Sequence, residues 1–270
     1  MVTVHQVRQF WEQHPLCEYE IPFEPGTKAF FDAHDALKSE STDRFNMHLW
    51  EFDKHPRERV LDVGCGPGWL VQEYARGGAN VVGVDITARA LELAKRRLEL
   101  RNLKGEFIQA NAESLPFDSS CFDFISSSGV LHHTPETEKA IHEIYRVLKP
   151  GKKAAVSLYA RHFLFSPILW PLTRVILRRI FLATTCRNNS DGIQSIDDFT
   201  KLYDGDYNPM GKSYTARNIQ SMFSCFSSLT MEAHYFPKRF IDPFIRIENT
   251  TVLRMFDRLF GSMIFAIVEK

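Results

Sequence analysis

Residues 62–69 read Asp62-Val63-Gly64-Cys65-Gly66-Pro67-Gly68-Trp69. Glycine is needed where a ligand approaches the backbone or where φ turns positive, so three glycines at alternate positions predict a turn that faces a ligand. A dinucleotide fingerprint starting at Gly64 would place its last glycine at position 69, where helix packs on strand; the bulkiest side chain, Trp69, stands there instead. Pro67 removes one of the backbone N–H groups on which a pyrophosphate site relies. Asp62, just before the glycines, would repel a pyrophosphate and suits a ligand that carries positive charge. No Gly-Lys-Ser/Thr follows, which excludes a P-loop.

Further along, Asp85-Ile86 closes a second apolar run, NVVGVD. A carboxylate there can accept hydrogen bonds from both hydroxyls of a ribose; the competing role is to cap the helix that starts beyond Thr87. Asn111-Ala112-Glu113 follows a third run. The Asn111 amide oxygen could accept from an exocyclic amino group and the Ala112 N–H could meet a ring nitrogen, against a plain Asx turn. His132, His133 and Tyr159 follow the fourth and fifth runs, where an acceptor would sit. Either histidine suits a general base, or serves to hold the loop. Trp11 and Tyr19 are candidates to close over the site from the N-terminal segment, or to pack in the ordinary way.

The elements that must position these groups are legible in the hydrophobic pattern. Strands are expected at Arg59–Val63, Asn80–Asp85, Glu106–Gln109, Phe122–Ser126 and Lys153–Tyr159. Helices are expected at Trp69–Arg76, from Thr87 to about Arg101 with Ala90, Leu91, Ala94 and Leu98 on one face, and at Thr137–Leu148, stopped by Pro150-Gly151. Such alternation predicts a doubly wound, mostly parallel α/β sheet of Rossmann-like type, whose ligand lies at the carboxyl ends of the strands. Residues 1–58 read as a helical cap with one helix around Val7–His14 and another over Thr27–Phe52. Residues 59–161 form the core and 162–228 a lid-like, substrate-side insertion with a helix at 215–227. Residues 229–270 supply two last strands, Leu229–Phe236 and Ser262–Glu269, the latter closing a seven-stranded sheet, with a helical insertion at 241–260 between them.

Composition narrows the function. The chain has 270 residues, 44% hydrophobic and 24% charged, and its 33 basic and 33 acidic residues cancel, so the global footprint of a nucleic-acid binder is absent. Cysteines 17, 65, 121, 186 and 225 form no CxxC pair, which argues against a zinc ribbon and a disulfide framework and for a reducing cytoplasm. No signal peptide and no uncharged apolar run of spanning length is seen. Ile144 to Ser190 holds nine Lys or Arg and no Asp or Glu. Residues 162–182 therefore suit a lid helix with a solvated basic face, a pocket wall for an apolar or anionic substrate, or a basic amphipathic helix on a membrane surface.

The blocks VLDVGCGPGWL (60–70), VVGVDIT (81–87), NAESLPFDSSCFDFI (111–125), GVLHHTPE (129–136) and IYRVLKPG (144–151) together resemble the class I S-adenosylmethionine (SAM)-dependent methyltransferases. The nearest likeness is to the type 11 domain, which includes quinone-biosynthesis C-methyltransferases. The resemblance covers about 59–160 and implies SAM as cofactor, S-adenosylhomocysteine as product and no metal. It implies the backbone of Gly64, Cys65, Gly66 and Gly68 against the methionine part, Asp62 near the positive groups, and Ser127 or Ser128 beside the methionine. Asp85 and Ile86 then lie at the ribose and Asn111, Ala112 and Glu113 at the adenine. The family usually has Asp where Asn111 stands and often a second glycine where Lys152 stands. The leading expectation is methyl transfer to a small molecule by in-line displacement. Against it stand a macromolecular methyltransferase acting on RNA or protein, a methyltransferase of lipophilic substrates at a membrane surface, and a non-catalytic SAM-binding protein. A nicotinamide oxidoreductase is opposed by Pro67 and Trp69.

Overall fold

The computed structural model describes residues 2–14, 21–39, 45–161, 208–235 and 250–270, with single positions at 169, 171–172, 175, 197–198 and 201 between. Seven strands form one sheet: β1 (Arg59–Val63), β2 (Asn80–Asp85), β3 (Glu106–Gln109), β4 (Phe122–Ser128), β5 (Leu148–Tyr159), β6 (Ser228–His234) and β7 (Met263–Glu269). Their order is β3-β2-β1-β4-β5-β7-β6. The first five are parallel, and β7 runs antiparallel to both β5 and β6. Strand order reverses at β1, so the crevice above β1 and β4 is the topological switch point.

The central strands β1, β2 and β4 are short apolar runs because both faces are covered. Leu61 and Val63 face α5 (Thr137–Val147) and α6 (Ala216–Met222), while Val60 faces α3 (Trp69–Arg76) and α4 (Ala88–Leu100). In α5 the spacing Ala140, Ile141, Ile144, Val147 buries one stripe completely. The cap contributes α1 (Val4–Gln13), started by a Thr3–Gln6 capping box, and α2 (Lys28–Leu37), where Phe30 N–H donates to the Thr27 hydroxyl oxygen. A further helix, α7 (Thr250–Phe260), leads into β7.

Several boundaries differ from the sequence pattern, each for a local reason. The helix expected over 27–52 is α2 plus a separate 3₁₀ turn at Met47–Trp50. β5 begins at Leu148, and Pro150-Gly151 lies inside it, where the β4–β5 register shifts between Phe122 and Phe124. The helix before it has already ended at Val147. α4 buries Leu93 and Arg97 beside Ala90, Ala94 and Leu98. The last strand, expected to close the sheet, lies between β5 and β6. Of the insertion expected over 162–228, residues 162–182 fall almost wholly outside the described residues, as do Tyr19 and residues 241–249.

Candidate functional site

A pocket of about 930 Å³ opens at the carboxyl ends of β1, β2 and β4 and is roofed by α1. The glycine turn forms one wall: Gly64, Gly66 and Gly68 all have positive φ, at 75°, 51° and 80°. Gly64 and Gly66 line the pocket. Gly68 does not; a Cβ there would lie 2.8 Å from that of Ala94, so this glycine lets α3 start against α4. Cys65 turns its thiol back toward Gly83, and burial pushes that thiol well above its ordinary pKa.

Asp85 lines the pocket and organises the turn beneath it. One carboxylate oxygen accepts from Gly66 N–H at 3.0 Å, and the other accepts from the Thr87 N–H and hydroxyl at 2.9 and 2.8 Å. Burial raises its pKa against the opposing pull of these donors. Thr87 is the N-cap of α4, but its hydroxyl serves Asp85 rather than the helix. The first N–H groups of α4, from Ala88 and Arg89, are instead met by the Glu12 carboxylate of α1 at 3.1 and 3.0 Å. A carboxylate at a helix N-terminus is favoured by the dipole as well as by the two bonds. Glu12 thus latches the roof of the pocket to its corner at Asp85, Ile86 and Thr87.

Asn111 and Ala112 lie at the next corner, after β3. The Asn111 amide oxygen accepts from Glu113 N–H at 3.0 Å, which is the Asx turn weighed above; a second lone pair remains for a ligand. Glu113 is buried away from the pocket lining and accepts from Glu136 N–H at 2.8 Å, so it ties this corner to the start of α5. Ser128 lines the pocket, whereas Ser127 is buried and donates to the Val63 carbonyl.

Asp62 is also not part of the lining. It is fully buried and accepts from Ser126 Oγ at 2.8 Å. Loss of solvent raises its pKa to about 7; the Ser126 bond opposes this and the Asp85 charge adds to it. A carboxyl group that is harder to ionise in the fold than in the unfolded chain makes the native state bind more protons between the two pKa values. Its contribution is therefore complete at low pH and is lost as pH rises through about 7. Between pH 5 and pH 8 the wild type is expected to lose about 2–3 kcal/mol more stability in urea unfolding than Asp62→Asn does. Equal losses in the two proteins would refute this placement of the proton.

The histidines separate. His133 and Trp11 line the pocket and meet edge to face with ring centroids 5.1 Å apart. His133 Nδ1 lies 2.6 Å from the Met210 carbonyl, so in the neutral ring Nδ1 carries the proton and Nε2 is the acceptor. His132, a possible base on sequence, is fully buried with its ring 4.0 Å from that of Tyr159. Its Nε2 has no hydrogen-bond partner among the described residues, and burial, with His133 adjacent, pushes its pKa well below the ordinary value. Tyr159 packs on His132 and is not among the lining residues. Sequence reasoning missed Glu12, Met210 and Val130, whose methyls stand directly over Gly64. Among the described residues no group of histidines, cysteines and carboxylates could hold a metal ion, and no helix is long and apolar enough to cross a membrane.

A methyltransferase domain family matches residues 61–156. The chain is 35% identical over 125 residues to the ubiquinone/menaquinone biosynthesis C-methyltransferase UbiE of Vibrio campbellii, covering 44% of this chain and 46% of that protein. It is equally similar, 35% over 125 residues, to the demethylmenaquinone methyltransferase of Renibacterium salmoninarum, with 46% of this chain and 51% of that one covered. The chain thus spans about half the length of these curated relatives. Among solved structures, Haemonchus contortus phosphoethanolamine N-methyltransferase 2 superposes with a TM-score of 0.59 at 16% identity, over 100% of this chain and 61% of that one, a likeness of fold.

Proposed function

We propose that this chain, whose residues 61–156 match a methyltransferase domain family, transfers a methyl group from SAM to a small-molecule acceptor held under α1. The observation that carries this reading is one pocket onto which the glycine turn, Asp85 and Asn111-Ala112 all converge, at the carboxyl ends of the strands. The groups present fit SAM. Asp85 is a half-buried carboxylate suited to the ribose, Asn111 and Ala112 offer an acceptor and an N–H to the adenine, and Gly64, Gly66 and Ser128 face the methionine end. The quinone-biosynthesis names of the relatives support a small acceptor.

When bound, SAM supplies a methyl already activated by positive sulfur, so the protein's task is alignment, which in favourable systems contributes about 7–11 kcal/mol. The chain supplies that alignment through a roof, α1, and a floor, the glycine turn. Trp11 and the valines of α1 present apolar surface to the pocket and exclude water. His133, with its proton fixed on Nδ1, offers Nε2 to accept a proton from an acceptor O–H, N–H or acidic C–H.

Calorimetric titration of SAM and S-adenosylhomocysteine, with NADH as control, tests the cofactor. Both SAM ligands should bind and NADH should not, and Asp85→Ala should weaken binding about tenfold or more, a loss of at least about 1.4 kcal/mol. Binding of NADH in preference to either would overturn the proposal.

A further inference from the structure

Loop 208–214 lies beside the 3₁₀ turn Leu131–His133, and its contacts there have not been assigned a role. It is tied to the end of β5 by an isolated parallel bridge between Ala160 and Tyr214. Tyr214 N–H donates to Tyr159 O, Arg161 N–H to Tyr214 O, and Lys212 N–H to His132 O. The bond that sets the His133 tautomer comes from this loop, from the carbonyl of Met210. An imidazole free in water favours the other tautomer, with the proton on Nε2, so the Nδ1–H form needs an acceptor held in place.

Lys212 is the side chain that holds it. Its ammonium donates to Thr134 O at 2.8 Å, Pro135 O at 2.7 Å and Thr137 Oγ1 at 3.3 Å. Thr137 Oγ1 in turn donates to Leu131 O, inside the same 3₁₀ turn, and receives the Tyr214 hydroxyl at 2.8 Å. One side chain therefore cross-links the segment just after His133 to the loop that carries Met210, two residues before it. We propose that Lys212 is a positioning residue, which keeps the Met210 carbonyl on His133 Nδ1 and so keeps Nε2 as the proton acceptor. Half-burial lowers the pKa of this ammonium, with Glu113 and Asp197 opposing, a desolvation that three good acceptors offset.

The inference rests on His133 as base, and its test needs no methyl acceptor. Protein labelled with ¹⁵N-histidine and saturated with S-adenosylhomocysteine is compared by long-range ¹H–¹⁵N correlation, with His133→Asn identifying the His133 signals. The wild type should show Nδ1 protonated and Nε2 unprotonated. Lys212→Met should lower the Nδ1–H population at least about twofold, and Lys212→Arg should restore it, because the tautomer follows the bond made by the other nitrogen. S-adenosylhomocysteine binding should stay within about twofold in both, which a general collapse of the site would not allow. If Lys212→Met does not fold, Lys212→Gln takes its place in the comparison. A wild-type tautomer retained in the neutral variant overturns the role of Lys212 alone. A wild type already protonated on Nε2 overturns that role and the reading of His133 as base together.

Discussion

Gly64→Ala is expected to abolish S-adenosylhomocysteine binding and to cost the fold about 2–4 kcal/mol, more than any other single methyl added to the glycine turn. Two faults coincide at this position. The backbone sits at φ 75°, where a Cβ costs about 1–2 kcal/mol. The new methyl would also fall 2.3 and 2.4 Å from the two methyls of Val130, well inside van der Waals contact. Val130 cannot easily withdraw, because the next residue, Leu131, is fully buried in the core. The backbone cannot easily shift either, since Gly64 and Cys65 N–H both donate to Val84 O, at 2.7 and 2.9 Å. Titration should show binding weakened more than about 100-fold, or about 2.7 kcal/mol. Adding Val130→Ala should recover part of the stability, as expected of contacting residues. Gly66→Ala is the control: φ is 51° but no atom of the described residues lies within 4 Å of the added Cβ, so its stability loss should be limited to the backbone strain. Equal stability losses at Gly64 and Gly66 would show that the Val130 contact is not what constrains the turn.

Arg97→Met should lower stability by about 3–5 kcal/mol, because it removes a buried cation and leaves the Pro67 carbonyl and His34 Nδ1 without their donor, while the half-buried Asp35 keeps its pair with Arg101. Arg97 is fully buried in α4. Its Nε donates to Pro67 O in the glycine turn at 2.7 Å, one terminal nitrogen pairs with Asp35 and the other meets His34 Nδ1. The guanidinium also lies over the Phe31 ring, 4.6 Å from its centroid. Burial and the charge of Arg97 push His34 well below its ordinary pKa, so its imidazole is neutral and accepts. Burial brings Arg97 itself down only to about 10, and it stays charged at neutral pH. Methionine fills similar space and supplies none of these donors, leaving the Pro67 carbonyl without its Arg97 bond. The melting temperature should fall by about 6–20 °C, taking 2–4 °C per kcal/mol for a chain of this size. Arg97→Lys should retain only part of the stability, because the three donors of an ammonium leave one nitrogen and cannot span acceptors as widely separated as those met by the planar guanidinium. A fall of under about 2 °C for Arg97→Met would mean that α2 is held by its apolar residues alone.

The parallel half of the fold was legible because its signal is local. Arg59–Val63, Asn80–Asp85, Glu106–Gln109 and Trp69–Arg76 have the bounds expected from apolar runs and glycine stops. The place of β7 was not legible, because strand order is decided by pairing far along the chain, and nothing in MIFAIVE says that it must pair with both β5 and β6. At the site, the pattern pointed to Gly64, Gly66, Asp85, Ile86, Asn111, Ala112, Ser128, His133 and Trp11, all of which line the pocket. It also named Asp62, Cys65, Gly68, Glu113, Ser127, His132 and Tyr159, which stand behind that lining. The difference between these groups is the direction of a side chain. In a strand and its following turn, direction alternates residue by residue, and a motif read as a block assigns ligand contact to both faces. Glu12 left no trace at all in the sequence, since its partners Ala88 and Arg89 are backbone donors that any residue type would provide.

The antiparallel insertion of β7 also bears on the order of folding events. Strands β1 to β5 can assemble by successive crossovers of modest length, each closing a short loop. β7 must then return across the whole insertion to pair Tyr159 with Met263, and among the described residues β6 has no other strand to hold it until this happens. Such non-local pairing is slow to form, so refolding should pass through a species with five parallel strands docked and the β5 edge open. An open edge of that kind recruits strands from other chains as readily as its own, which makes the slow closing step the point at which this protein is most exposed to aggregation.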